Sequence, residues 1–257
     1  MGKRLIAAAT AACALVLAAP AGAITNGAPD GNRHPEVGSL LAPQAYSDGT
    51  WTTCTGTLIS PTVFLTAAHC DQGVERVAVT FDSNYVAATG TTHWGTWHAD
   101  PRYSEHVESN PHDLAVVVFD HPVTGIQPAR LPHLGQLNKL ARGTRITSVG
   151  YGAQLVTQEQ GGKVLHYQDT RYRATGTVNT VTTKAWLKAS MNPARGDGGT
   201  CYGDSGGPNF LGAGAGETRI VAATTITGDT WCRATNVDYR LDTRSARSFL
   251  GQFVTLP

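Results

Sequence analysis

Six short runs rich in Val, Ile, Leu and Thr constrain this chain more than any other feature: "TGTLIS" (55–60), "VFLTAA" (63–68), "RVAVTF" (76–81), "DLAVVVF" (113–119), "RITSVGYG" (145–152) and "RIVAATTI" (219–226). β-Branched residues suit a pleated, half-buried surface, and runs this short between turn residues read as strands. The 29 glycines and 13 prolines are spread between them as punctuation, not massed in linkers. Together they predict an all-β protein.

One helix is expected, near the end. Asp242 is placed to cap a helix starting near Thr243, with Ala246, Phe249, Leu250 and Phe253 on one apolar stripe. The stretches 41–53, 154–167 and 190–200 are polar or glycine-rich and read as surface loops. Residues 131–142, with Pro132 and Gly135, are the expected connection between two halves. A chain of 257 residues is long enough to bury a large core.

The first 23 residues read as a secretory signal. Lys3 and Arg4 form a positive start, Leu5 to Ala19 is apolar apart from Thr10, and Ala21-Gly22-Ala23 offers a small-x-small cut site. The apolar run is shorter than the ~20 residues that span a bilayer. Cleavage after Ala23 predicts a secreted, extracellular product, residues 24–257, with no membrane anchor. Its 20 basic and 19 acidic residues become 18 and 19 once Lys3 and Arg4 are gone. That near-neutrality offers no field to recruit nucleic acid or a membrane surface.

Of the five cysteines, Cys13 leaves with the signal. Cys54, Cys70, Cys201 and Cys232 form an even set in an oxidising compartment, which predicts two disulfides. Spacing allows three connectivities. The local pairs 54–70 and 201–232 are the simplest, each closing a loop worth roughly 3 kcal/mol. No C-x-x-C spacing supports a zinc site built from all four. His93, His98, His106 and His112 match no familiar zinc pattern either, so no metal and no cofactor are expected.

Three motifs carry chemistry. "TAAHC" (66–70) ends an apolar run with His69, "PHDLAVVVF" (111–119) sets Asp113 at the mouth of a buried strand, and "CYGDSGGP" (201–208) sets Ser205 among glycines. A serine hydroxyl is a weak nucleophile and needs an imidazole to take its proton. The imidazole needs a carboxylate to fix its tautomer and stabilise the cation that forms. Singly, each motif has an ordinary reading: a packed core histidine, a turn aspartate, a tight glycine loop. Together, in this order, they resemble the trypsin/chymotrypsin-like serine endopeptidases, and the resemblance covers essentially all of 24–257. "GDSGG" also fits the nucleophile elbow of α/β-hydrolases, but those run serine, acid, histidine along the chain, and no histidine follows Ser205 here.

The resemblance implies two six-stranded antiparallel β-barrels packed face to face, with a C-terminal helix. It implies Ser205 as nucleophile, His69 as base, Asp113 as its orienting acid, and the N–H groups of Gly203 and Ser205 as the oxyanion hole. It also implies the Cys54–Cys70 and Cys201–Cys232 bridges. At the specificity pocket the chain departs from its basic-cutting relatives: Gly199 stands where they carry an aspartate, and Asp197 lies two residues earlier. Thr227 and Val237 align with glycines that keep the pocket open, so small or medium uncharged P1 residues are expected. "ITNG" resembles the mature start of the family, which implies an ion pair between the Ile24 ammonium and Asp204. With no propeptide intervening, signal cleavage itself would release Ile24. The expected partners are polypeptide substrates and proteinaceous inhibitors of a monomer. A catalytically inactive binding protein of the same fold is the alternative.

Overall fold

A computed structural model describes residues 24–106, 109–182 and 185–257. The signal-peptide expectation for residues 1–23 lies outside the described residues.

The strands form two closed barrels. A two-residue strand β1 (Ala28–Pro29) precedes the first barrel, made of β2 (Val37–Leu41), β3 (Thr52–Ser60), β4 (Val63–Thr66), β5 (Arg76–Thr80), β6 (His93–Ala99) and β7 (Ala115–Phe119). These close in the order β2-β3-β4-β7-β6-β5, every pairing antiparallel. After β8 (Arg145–Gly150) come a separate hairpin, β9 (Leu155–Glu159) and β10 (Gly162–His166), and then β11 (Tyr172–Val181), β12 (Trp186–Ser190), β13 (Pro208–Leu211), β14 (Val221–Gly228) and β15 (Thr235–Arg240). The second barrel runs β8-β11-β12-β15-β14-β13 and closes back onto β8, with β1 paired to β11. Closure leaves no unpaired edge within either barrel.

Three apolar clusters hold this arrangement. One fills the first barrel, around Leu40, Leu58, Phe64, Val79 and Val117. A second fills the other barrel, around Ile146, Val178, Leu187 and Ala222. The largest lies between them, joining Val37, Leu65 and Val116 to Val149, Phe210, Val221 and Tyr239. At roughly 25 cal/mol per Å² of buried apolar surface, this seam holds the barrels together as one core.

All six expected runs fall on strands, but other expectations need correction. Residues 154–167 are not an irregular loop: they fold as the β9–β10 hairpin, turning through Gly161 and Gly162, both at positive φ. Within 190–200, residues 197 to 200 are buried instead of lying on the surface. The helix α1 (Arg244–Leu250) starts where expected, but Thr243 caps it, its Oγ1 accepting from Ala246 N–H. Asp242 is occupied elsewhere, accepting from Arg240 and from the Leu137 N–H. Ala246, Phe249 and Leu250 are buried as the stripe required, with Phe253 packed beyond the helix end. Residues 120–144 run from one barrel to the other, with a 3₁₀ turn at Gln136–Lys139.

A buried charge network fastens the segment before β2 to the second barrel. Arg171 is fully buried; its Nε donates to Asp30 and its Nη1 to the carbonyls of Val37 and Phe81. His34 lies between two carboxylates, Nδ1 2.5 Å from Asp30 and Nε2 2.6 Å from Glu217. Burial alone would lower the His34 pKa, but hydrogen bonds and charge from Asp30 and Glu217 outweigh it and raise it from 6.5 to about 9. Burial works against the two carboxylates as well, yet their bonds to His34 hold both below the usual range.

Stability should therefore depend on His34 protonation. Its contribution is complete below pH ~6.5, the unfolded value, and is lost as pH rises through about 9. Thermal unfolding of the wild type should show a falling Tm between pH 7 and pH 10, and His34→Gln a flatter profile; equal slopes would contradict this.

Candidate active site

Each reactive side chain is delivered by local structure that the sequence dictates. β4 ends in a 3₁₀ turn, Ala68–Cys70, whose small buried Ala67 and Ala68 let it lie close against the barrel. This turn presents His69, about a quarter exposed, while Cys70 is bridged to Cys54 on β3. Asp113 follows His112, a non-glycine residue at φ +54°, and is buried. The His112 ring is held by Ser245 Oγ and Asn110, and Asn110 in turn accepts from the Tyr239 hydroxyl. The C-terminal part of the chain thus anchors the loop that carries Asp113.

Asp113 meets His69 twice. One oxygen accepts the His69 backbone N–H at 2.9 Å, and the other lies 2.7 Å from Nδ1. With a carboxylate there, Nδ1 carries the proton and Nε2 keeps a free lone pair. Ser205 and His69 line one cleft of about 320 Å³, together with Thr200, Thr225, Thr227 and the Cys201–Cys232 bridge. Among the described residues no hydrogen bond engages the Ser205 hydroxyl, and none engages the backbone N–H groups of Gly203 and Ser205. Gly203 and Ser205 both line the cleft.

The Ser205 loop is clamped from both barrels. Thr55 on β3 gives its N–H to the Ser205 carbonyl at 2.9 Å and its hydroxyl to the Gly203 carbonyl at 3.1 Å. Gly206 donates to Thr225, and Thr225 donates back to Gly207. The loop needs its glycines. Gly203 and Gly206 sit at φ +91° and +78°, and a Cβ on Gly206 would fall 2.2 Å from the Thr66 hydroxyl. Sequence reasoning missed Thr55, because a threonine in a strand carries no mark beyond its place beside Cys54.

Asp204 points away from the cleft into a fully buried site. Its carboxylate accepts from Gly152 N–H and Cys201 N–H, both at 2.8 Å. A side chain on Gly150 or Gly152 would collide with it, at 2.1 and 2.6 Å. Burial raises its pKa to about 7 against the pull of those two N–H groups, and no cationic side chain pairs with it among the described residues. Ile24 is also completely buried, against Tyr172 and Ala174, with a φ of +62° that is rare for a β-branched residue. The next residue ties the start of the described chain to the cleft: Thr25 O accepts from Gly199 N–H, and Thr25 Oγ1 donates to the Cys232 carbonyl.

The expected pocket residues separate. Thr227 lines the cleft, while Gly199 and Val237 are not among its lining residues. Gly199 lies behind it, where a Cβ would meet Met191 Cγ at 2.4 Å. Val237 pairs with Thr227 and Lys188, and its neighbours Asn236 and Asp238 are the buried ones. Thr200, on the cleft wall, donates to Asn236. Asp197 is sequestered: it accepts from Arg145 and Thr177, away from the cleft. Among the described residues, one trio of metal-capable side chains comes together, Cys54, His69 and Cys70, and both of its sulfurs belong to the disulfide.

Comparison with known proteins gives one consistent result. The profile of the family described as Trypsin matches residues 31–246. The chain is 32% identical to brachyurin of Leptuca pugilator over 197 residues, covering 74% of this chain and 84% of that protein. It is 30% identical to human granzyme M over 184 residues, 66% of this chain and 68% of the other. It is 27% identical to chymotrypsin of Phaedon cochleariae over 192 residues, 71% and 66% of the two chains. Among solved structures, HL collagenase superposes with a TM-score of 0.65 at 18% identity, over 90% of this chain and 96% of that one.

The clamp around the Ser205 loop can be tested through its glycines. Gly206→Ala should destabilise by about 3 kcal/mol, combining a collision with backbone strain. Gly31→Ala, also at positive φ but facing open space, should cost about 1 kcal/mol. Urea unfolding of the two variants measures the difference.

Proposed function

The chain belongs to the trypsin family, and on that premise we propose that it is a secreted serine endopeptidase working through Ser205, His69 and Asp113. The observation that carries this reading is the His69 ring, bonded through Nδ1 to buried Asp113 and sharing a cleft with Ser205. As substrate enters, His69 Nε2 takes the proton from Ser205 Oγ, which attacks the scissile carbonyl. The N–H groups of Gly203 and Ser205 receive the oxygen as it gains charge, an interaction worth about 10²–10³ in rate per donor. Protonated His69, stabilised by Asp113, then gives its proton to the leaving amine. Water, activated by the same ring, releases the acyl group from Ser205.

The cleft also supports the expected preference at P1. Among the described residues no Asp, Glu, Lys or Arg lines it, so a charged P1 side chain would enter without a counter-ion. Asp197 is held by Arg145 and does not supply one. Thr227 narrows the wall, and Met191 fills the space beside Gly199. Small or medium uncharged residues fit best, with Val237 acting through its pairing to Thr227.

Activation involves the two buried residues at the other side of the loop. Cleavage before Ile24 would free an α-ammonium and relieve the strain of its positive φ, of order 1–3 kcal/mol. The ammonium supplies the positive charge that buried Asp204 lacks, and so holds the Ser205 loop in its working shape. Removal of the signal would then be the activating step. The sequence's even set of cysteines, both pairs bridged here, supports export to an oxidising compartment.

Ser205→Ala should lower kcat by roughly 10⁶ on a mixed peptide library, with wild-type cuts falling after uncharged residues. A wild type as inert as the variant would overturn the enzyme reading. N-terminal sequencing of the secreted, active protein should give Ile24 first; full activity in a form beginning at Gly22 would overturn the activation scheme.

A further inference from the structure

Gly203 lines two pockets. One is the cleft of Ser205 and His69. The other, also about 320 Å³, lies beyond it between Tyr46, Asp48, Thr52 and Tyr167. The first pocket runs along Thr225, Ile226 and Thr227 and is the one that the proposed reading gives to the P1 residue, on the acyl side of the cut. The scissile carbonyl would sit at the Gly203 and Ser205 N–H groups, so chain beyond it, on the amine side, passes into the second pocket.

The chemistry of that pocket is one-sided. Asp48 is its single charged residue. One Asp48 oxygen accepts from the Thr50 N–H and hydroxyl, at 3.0 and 2.7 Å, which holds the carboxyl below its usual pKa. The other oxygen takes no hydrogen bond, and Asp48 enters no salt bridge among the described residues. Tyr46 is about half exposed, and Tyr167 lines the same cavity. The walls are fixed in advance. The Asp48 turn closes through Tyr46 N–H to Thr50 O, and Asp169, two residues after Tyr167, accepts from the N–H groups of Trp51 and Thr52 at 2.9 Å.

We propose that this pocket is a subsite for a lysine or arginine side chain on the leaving-group side of the scissile bond. The aliphatic stem would lie between the tyrosines and the cationic head would meet Asp48, with aromatic faces adding to the attraction. An acidic side chain would be repelled. The assignment rests on the protease reading, and it selects substrates that are uncharged before the cut and basic shortly after it.

The test uses internally quenched peptides with one acyl side and Lys, norleucine or Glu at the first or second position after the cut. Norleucine keeps the four-carbon stem without the charge. At one of these positions lysine should raise kcat/KM about fivefold over norleucine, the scale of an exposed ion pair, and glutamate should fall below both. The lysine advantage should shrink as salt rises, and Asp48→Asn should bring the lysine and norleucine peptides to the same kcat/KM. Equal cleavage of the two by wild type, or an advantage that survives Asp48→Asn, would overturn the subsite alone. Failure to cut any of the peptides, together with an acyl-side substrate that has no residues after the cut, would overturn the protease reading and the subsite with it.

Discussion

The bond from Thr55 N–H to the Ser205 carbonyl, 2.9 Å long, joins the two barrels beside the cleft that Ser205 and His69 line. His69 and Asp113 come from the first barrel and Ser205 from the second, so their spacing is set by how the barrels dock. An apolar seam alone would leave that spacing loose, because the hydrophobic effect has no direction. Thr55 supplies direction: its hydroxyl holds Gly203 as its N–H holds Ser205, and it also receives the N–H of Tyr151 at 3.0 Å. The bridge from neighbouring Cys54 to Cys70 then carries the same strand to the turn that bears His69. One strand of the first barrel positions both the Ser205 loop and the turn that bears His69.

Buried charge plays a second, more distributed part. Asp30, His34, Arg171 and Glu217 lie in or beside the seam, and each meets an opposite charge or backbone carbonyls. Taking such groups out of water is costly, and removing one partner leaves the others uncompensated. The network therefore adds specificity to the docking more than strength. Asp204 and Asp238 stand outside this pattern, both buried without a cationic side chain among the described residues; Asp204 accepts from N–H groups only. Burial raises the Asp204 pKa to about 7 against the pull of its two N–H donors.

Much of this was legible in the sequence, and the parts that were not share a cause. The six apolar runs and both disulfide pairs are local signals, and the structure places them accordingly; the motifs around His69 and Ser205 are local signals too, and both residues line one cleft. Thr243 displaced Asp242 as the helix cap because Arg240, two residues before it, and the distant Leu137 N–H claim the aspartate. The β9–β10 hairpin was hidden by polar composition, although its paired glycines are a recognised turn signal. The pocket was harder. A bulge between Thr225 and Thr227 shifts the register against β15, and a shift of one residue exchanges the two faces of a strand. The extra residue lies on β14 and moves Thr227 into line with Val237, while β15 itself alternates without a break and buries Asn236 and Asp238 on either side of Val237. No local pattern announces a bulge.

The link from Thr25 to Cys232 also bears on the order in which the molecule can be made. Thr25 is among the first described residues to leave the ribosome, yet its side-chain partner lies 207 positions later and Gly199 lies 174 positions later. Until those residues are synthesised, the leading segment has nothing to complete it, and contacts of such long range close slowly. The second barrel cannot hold its cleft wall in final form while its own C-terminal strands are still missing. Birth of the chain and completion of the site are thus held apart by its own topology, and the earliest residues are among the last to find their place.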